Sequence, residues 1–366
     1  MSSNARVGSL RHVERLESRQ MLAGDVAVSV VDGNLLIHGD ELANQIALTA
    51  GSTPDSFRLF GWDGTAVHVT ESTDPAASEL LVSGVTGNVV IRLGEGDDVV
   101  RIDHAAFPHD VSIATDGGSD QVVLGISPAV APELTAVAND EQIAPPPPAH
   151  GVSVGGSLRV ATGADGDTIR IAHAAVRGRL AVFSDGGNDE VAIGQPWQEA
   201  VASTAPETPD PAVKAGHAIA IHLGAGDDRL AVGSAASFRG VLVDGGAGSD
   251  QIRLNGLQAG YALHVLGGPG EHADTVELHH VRSRNALIHT GDGNDKVAVV
   301  DSTFGHLAVA LGAGDDTLAM GGLKAGTAVL LGDLGDDTLT LLAANMIGRR
   351  IVRGFENLPG EPAPTA

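Results

Sequence analysis

The sequence predicts an all-β fold: a single-stack parallel β-helix or β-roll of about eleven rungs of 21–22 residues, preceded by a short N-terminal helix. Three observations predict the stack. A Gly-Asp turn recurs along the chain, written most fully at Gly245-Gly246-Ala247-Gly248-Ser249-Asp250. Between the turns, from residue 27 onward, apolar and polar residues alternate with period 2, the pattern of short strands with one buried face. The turns also return at a regular interval.

With the last Asp of each turn as position zero, the series is Asp98, Asp120, Asp167, Asp189, Asp228, Asp250, Asp274, Asp295, Asp316 and Asp337. The intervals are 22, 47, 22, 39, 22, 24, 21, 21 and 21 residues. Position +2 is aliphatic from Val100 through Ile252 to Leu339, and position +4 is aliphatic or Met from Ile102 through Met320 to Leu341. Position −7, ahead of the turn, is aliphatic from Ile91 through Val243 to Leu330, with the Asp274 turn allowed two extra residues so that Val265 fills the place. A degenerate earlier copy has Asn44 at zero, with Ile46 and Leu48 after it and Leu35 and Ile37 before it. A chain that returns to one angular position while advancing by a strand spacing of about 4.8 Å stacks like residues in columns, which buries what one rung alone cannot. Each rung then reads as a strand, the Gly-Asp turn, a second strand and a turn of about eight residues, such as Asp103 to Asp110.

The long intervals hold insertions at about 49–86, 126–151 and 195–216, all leaving from one edge opposite the Gly-Asp column. The first contains Phe57 to Val69, which reads as a hairpin turning at Trp62-Asp63-Gly64. The second includes Pro145 to Pro148, and the third Pro196, Pro206, Pro209 and Pro211. The solenoid spans 27–358, with Ile351 to Leu358 lacking the Asp and capping the stack, and a Pro-rich tail follows at 359–366. Residues 1–26 form a basic amphipathic leader in which Arg6, Arg11, Arg15 and Arg19 alternate with Leu10, Val13, Leu16, Met21 and Leu22 at helical spacing.

Asp and Glu number 46 against 22 Lys and Arg, for a net charge of −24. Such a balance disfavours nucleic acid and anionic membrane surfaces and favours cations. There is no cysteine, hence no disulfide framework and no thiolate zinc site. No apolar run reaches the roughly 18 residues of a membrane span, so membrane insertion is not expected.

Residues 245–253, Gly-Gly-Ala-Gly-Ser-Asp-Gln-Ile-Arg, resemble the nonapeptide of RTX, or haemolysin-type, calcium-binding repeats. The resemblance implies Ca2+ as the cofactor and the ten zero-position residues, Asp98 through Asp337, as its ligands. The chemistry suits the cation: Gly permits a tight backbone whose carbonyls converge, and Asp supplies the hard oxygens of which calcium takes about six to eight. The spacing departs from the family, whose rolls carry the motif in both turns of a rung of about 18 residues. Here one turn in two carries it, and position −4 is Asp rather than Gly at Asp116, Asp185 and Asp333, as is position −2 at Asp165. Carboxylates stacked at about 4.8 Å repel by roughly 1 kcal/mol in water and roughly 3–4 kcal/mol at an effective dielectric near 20, which bound cations would relieve. The plainer reading is that the acids are good turn formers, bonded to local backbone amides.

Leu16-Glu17-Ser18-Arg19-Gln20-Met21-Leu22-Ala23 resembles the LEPR-XLL leader of exported planctomycete proteins, with Ser18 in place of Pro and Met21 in place of Leu. That resemblance implies an extracellular or cell-surface location.

The function expected is therefore non-enzymatic: an exported calcium-binding solenoid acting as a surface structural or adhesive module, with a surface polysaccharide or a protein as its partner. The alternatives are a calcium-independent interaction scaffold and a polysaccharide-lyase-like β-helix enzyme. For the latter, Arg101, Arg170 and Arg253 share the outward +3 position. The histidines, among them His104, His173, His222, His279, His280 and His289, show no metal-ligand spacing repeated from rung to rung and read as surface or turn residues.

Overall fold

The computed structural model describes residues 24–70, 76–125, 151–194 and 212–357. Most of the basic leader, the proline-rich insertions and the tail lie outside the described residues. Within them the protein is an all-β parallel solenoid of about ten turns, with rungs of about 22 residues.

A rung of the earlier part of the stack has three strands; from Gln258 onward the segment after the second strand runs without a break into the next rung's first, as in Arg282–Asp292. The first precedes the Gly-Asp turn, as in Val111–Ala114, and the second follows it, as in Gln121–Leu124. Val111 pairs in parallel with Val89 of the previous rung and Leu158 of the next, and Val122 likewise with Val100 and Ile169. The columns read from the sequence are thus the columns of the sheets. Every +2 residue from Val100 to Leu339 is buried, as is every −7 residue from Ile91 to Leu330; Leu341 alone among the +4 residues is partly buried. One aliphatic core fills the stack because period 2 sends alternate side chains inward from each wall.

The eight-residue second turn expected from the sequence is instead a third strand. Ala105–Phe107, Val152–Val154, Ala174–Val176, Val213–Ala215 and Ala235–Ser237 pair in parallel as a third wall. Three residues cannot display an alternation long enough to read, and alanines at inward positions such as Ala105, Ala174 and Ala235 hide the burial. The corner leading into this wall needs a left-handed residue in nearly every rung. It is supplied by His104, Gly125, Ser234, Gly256, His280, Asp301 and Gly322, with φ between 48° and 68°. Two of the conspicuous histidines are therefore corner residues, a conformation His tolerates better than most.

The described flanks of the two proline-rich insertions, 125 with 151 and 194 with 212, place both at this same corner between the second and third walls. The first insertion is not the simple hairpin expected. The turn forms, with Thr65 N donating to the Trp62 carbonyl at 3.0 Å, but the strands it joins do not pair with each other. Phe57–Gly61 runs antiparallel to Gln45–Ala50, whereas Ala66–Val69 runs parallel to Asp25–Val31. With Glu79–Val82 laid antiparallel on Phe57–Gly61, this excursion closes the N-terminal end of both sheets. At the other end Met346–Arg353 pairs on Lys324–Leu334 and carries Arg349, Arg350 and Arg353, charges that blunt an edge strand.

Candidate functional site

The ten zero-position Asp residues form one column at the corner between the first and second walls, and they point inward: all are between 0 and 4% exposed. Each carboxylate is tied to the rung before it. Asp98 N donates to Asp120 Oδ1 at 2.8 Å, Asp120 N to Asp167 Oδ1 at 2.8 Å, and Asp167 N to Asp189 Oδ1 at 2.8 Å. The pattern continues without a gap through Asp228, Asp250, Asp274, Asp295 and Asp316 to Asp337. Asn44 opens the ladder, its backbone N–H donating to Asp98 Oδ1 at 2.7 Å, and Glu356 closes it, with Oε2 accepting from the Asp337 backbone N–H at 2.9 Å. The capping segment that lacks the Asp thus provides a longer acid in its place.

The second oxygen has a different fate. Oδ2 of Asp98, Asp120, Asp167, Asp189, Asp228, Asp250, Asp295, Asp316 and Asp337 is buried without a hydrogen-bond partner. Burial of the charged form pushes Asp98 up to about 8, Asp120, Asp250 and Asp316 to about 7, and Asp167, Asp228 and Asp274 to about 6. Burial likewise raises Asp189, Asp295 and Asp337. The donated amides work against burial, whereas the hydroxyls of Thr115, Ser184 and Thr290, five residues ahead of their Asp, donate to backbone carbonyls of the next rung.

Outside this ladder runs a second, exposed one at position −1, bonded in the opposite sense. Ser119 N donates to Asp97 Oδ1, Asp227 N to Asn188 Oδ1, Ser249 N to Asp227 Oδ1, Asp315 N to Asn294 Oδ1 and Asp336 N to Asp315 Oδ1, at 2.8–3.0 Å. These residues lie outside the zero-position series, although the doublets Asp97-Asp98, Asp227-Asp228, Asp315-Asp316 and Asp336-Asp337 signal them.

The turn backbone explains the remaining departures from the repeat. Gly94, Gly163, Gly224, Gly246, Gly291 and Gly312 at −4 have φ between 99° and 113°, and Asp116, Asp185 and Asp333 at the same position have 64°, 62° and 75°. Asp165 at −2 has φ 75°. Asp replaces Gly here because it is among the few residues that tolerate left-handed backbone.

Among the described residues no three His, Asp or Glu side chains converge as a metal-binding group. A cation on the column would draw on carboxylates of neighbouring rungs and on turn carbonyls. The donor chemistry fits a hard cation, since buried carboxylate oxygens without partners stand in a row.

The other residues of interest fall elsewhere. Arg101 lies over the Trp62 ring at 5.0 Å, Arg170 pairs with Glu190 at 3.0 Å, and Arg253 pairs with Glu277 at 2.7 Å. His222 stacks on Phe183 at 5.1 Å between centroids and approaches Asp244 at 3.4 Å. Compared with protein-family models, curated proteins and solved structures, the chain matches none.

Proposed function

We propose that the protein is a non-enzymatic structural solenoid, exported to the cell surface or beyond, whose Gly-Asp edge binds calcium in the manner of an RTX-like repeat. The observation that carries the reading is the row of nine buried, unpartnered Oδ2 atoms in one column. Ionised acids so placed cannot be screened by mobile counterions, and a divalent cation bridging adjacent rungs neutralises two of them at once. The uninterrupted repeat supports a structural role, since a catalytic constellation breaks repetition locally.

The test is thermal melting at about pH 9, where even Asp98, raised to about 8, is mostly ionised, with calcium against chelator, accompanied by calorimetric titration. A rise in melting temperature with saturable binding is expected. No shift and no heat would leave the second reading, a calcium-independent scaffold. That reading is favoured by one observation of its own: the Oδ1 ladder is complete through amides alone.

A further inference from the structure

The strongly acidic chain carries a basic face. Eight of its 22 Lys and Arg residues, Arg177, Arg179, Lys214, Arg239, Arg282, Arg284, Lys324 and Arg349, lie on the third wall and the corner beyond it. In the eight stretches 172–180, 212–218, 233–240, 255–262, 279–287, 300–308, 321–328 and 343–350 that carry and join these residues, the one acid is Asp301, while the earlier third-wall rung at 103–110 holds Asp103 and Asp110. The Asp column lies at a different corner, between the other two walls.

At the middle of the face is an open groove of about 980 Å³, lined by Lys214, Arg239, Arg282 and Arg284 and by the rings of Phe238 and Tyr261. Phe238 is 78% exposed and Tyr261 59%, although the chain has only 7 Phe and 1 Tyr. The Arg284 guanidinium lies 5.8 Å from the centre of the Tyr261 ring. Among the described ion pairs none engages Arg239, Arg282, Arg284 or Lys324.

The order of residues along the groove is informative. Register places Ala236, Gln258, Arg282, Thr303 and Lys324 on successive rungs. Arg239 belongs to the rung of Ala236, and Tyr261 to that of Gln258. From Arg239 to Lys324 cationic and neutral hydrogen-bonding rungs alternate, which sets these cations two rungs, or about 10 Å, apart, while Lys214, paired with Ala236, adds one cation on the rung directly before Arg239. A nucleic acid strand carries a phosphate about every 3.4 Å, so most of its charges would meet no cation here while facing a protein of net charge −24. A linear polysaccharide in which acidic and neutral sugars alternate has sparser charge and hydroxyls for Gln258 and Thr303, and its rings can lie on exposed aromatic faces.

We propose that this groove binds a linear anionic polysaccharide of alternating acidic and neutral sugars, laid along the solenoid axis. Arg239, Arg282, Arg284 and Lys324 meet the acidic groups, and Phe238 and Tyr261 meet the sugar rings. The proposal is independent of calcium at the Asp column.

The test is affinity electrophoresis and calorimetry of the full chain in chelator, with hyaluronan, chondroitin sulfate, polygalacturonate and single-stranded DNA of matched length as probes. Hyaluronan and chondroitin sulfate distinguish carboxylate from sulfate as the acidic group, and binding of either supports the proposal. Arg239→Gln, Arg282→Gln and Arg284→Gln combined should weaken it about tenfold. Removing equal charge from the second wall, by Arg101→Gln, Arg170→Gln and Arg253→Gln, should leave it unchanged. Circular dichroism checks that both variants keep the fold. The proposal is overturned by no binding of either glycan at about 50 mM salt, by equal loss in both variants, or by tighter binding of polygalacturonate or DNA than of the alternating glycans. Failure here would leave the calcium-dependent melt unaffected, so the two readings fail separately.

Discussion

The backbone amide of Asp98 donates to Oδ1 of Asp120, one rung further on, at 2.8 Å, and both side chains are sealed from solvent. The same relation repeats to the end of the stack. One carboxylate oxygen of each rung is therefore structural, holding the Gly-Asp turn of the rung before it, while the other is left over. A buried amide without an acceptor costs about 1–3 kcal/mol, so the first oxygen accounts for an acid or amide at position zero in every rung.

Substitution at Asp250 separates the two oxygens. Asp250→Asn keeps an acceptor for the Asp228 amide and removes a buried charge, so in chelator at about pH 8 it should melt at or above the parent temperature, given the raised pKa of Asp250. Asp250→Ala strands that amide and should cost about 1–3 kcal/mol in chemical denaturation. If Asn and Ala prove equally damaging, the Oδ1 bond is not what position zero is for.

The pH dependence follows from burial. In the unfolded chain these acids titrate near 3.8, and in the fold several are raised to between about 6 and 8. The native state then holds more protons than the unfolded state in between, so stability is greatest below the unfolded pKa and falls as pH rises through the folded values. In chelator the melting temperature should therefore decline from about pH 5 to about pH 8. A flat profile over that window would mean the column stays ionised without penalty.

Repeat interval and inward columns were legible in the sequence because one physical rule, alternate side chains inward, writes itself identically in ten rungs. The orientation of the Asp column was not, because Asp at a turn usually faces water. Nothing local distinguishes an exposed Asp97 from a buried Asp98 until the register of the next rung is known. The third wall escaped for a related reason, since Ala174 and Ala235 are buried yet carry no apolar signal that stands out. The basic face escaped with it, because Lys214, Arg239, Arg282 and Lys324 are far apart in sequence and come together through stacking.

The left-handed positions of the Gly-Asp turn give a prediction with built-in contrast. A Cβ at Gly246, where φ is 99°, would run into the Gly224 carbonyl, so Gly246→Ala should destabilise by more than the roughly 1 kcal/mol of backbone strain alone. Asp185 sits at the same position with φ 62°, and Asp185→Gly should change stability by less than about 1 kcal/mol. Denaturant midpoints of the two variants test whether conformation, rather than an extra ligand oxygen, explains Asp at position −4.

The N-terminal closure makes the last prediction. Phe57 is buried and its ring stacks on Phe107 at 5.0 Å, tying the antiparallel strand Phe57–Gly61 to the third wall of the next rung. An uncovered solenoid end presents a row of free amides and carbonyls, a template for pairing with another chain. Phe57→Ala should cost about 3–5 kcal/mol locally, loosening the closure before the aliphatic core of the later rungs. The exposed end strand Gln45–Ala50 should then drive concentration-dependent end-to-end association, seen in sedimentation as elongated oligomers. Phe238→Ala, which removes a ring 78% exposed, should leave both melting and sedimentation unchanged. A monomeric Phe57→Ala variant with the parent's melting curve would show that the excursion decorates the end of the stack without protecting it.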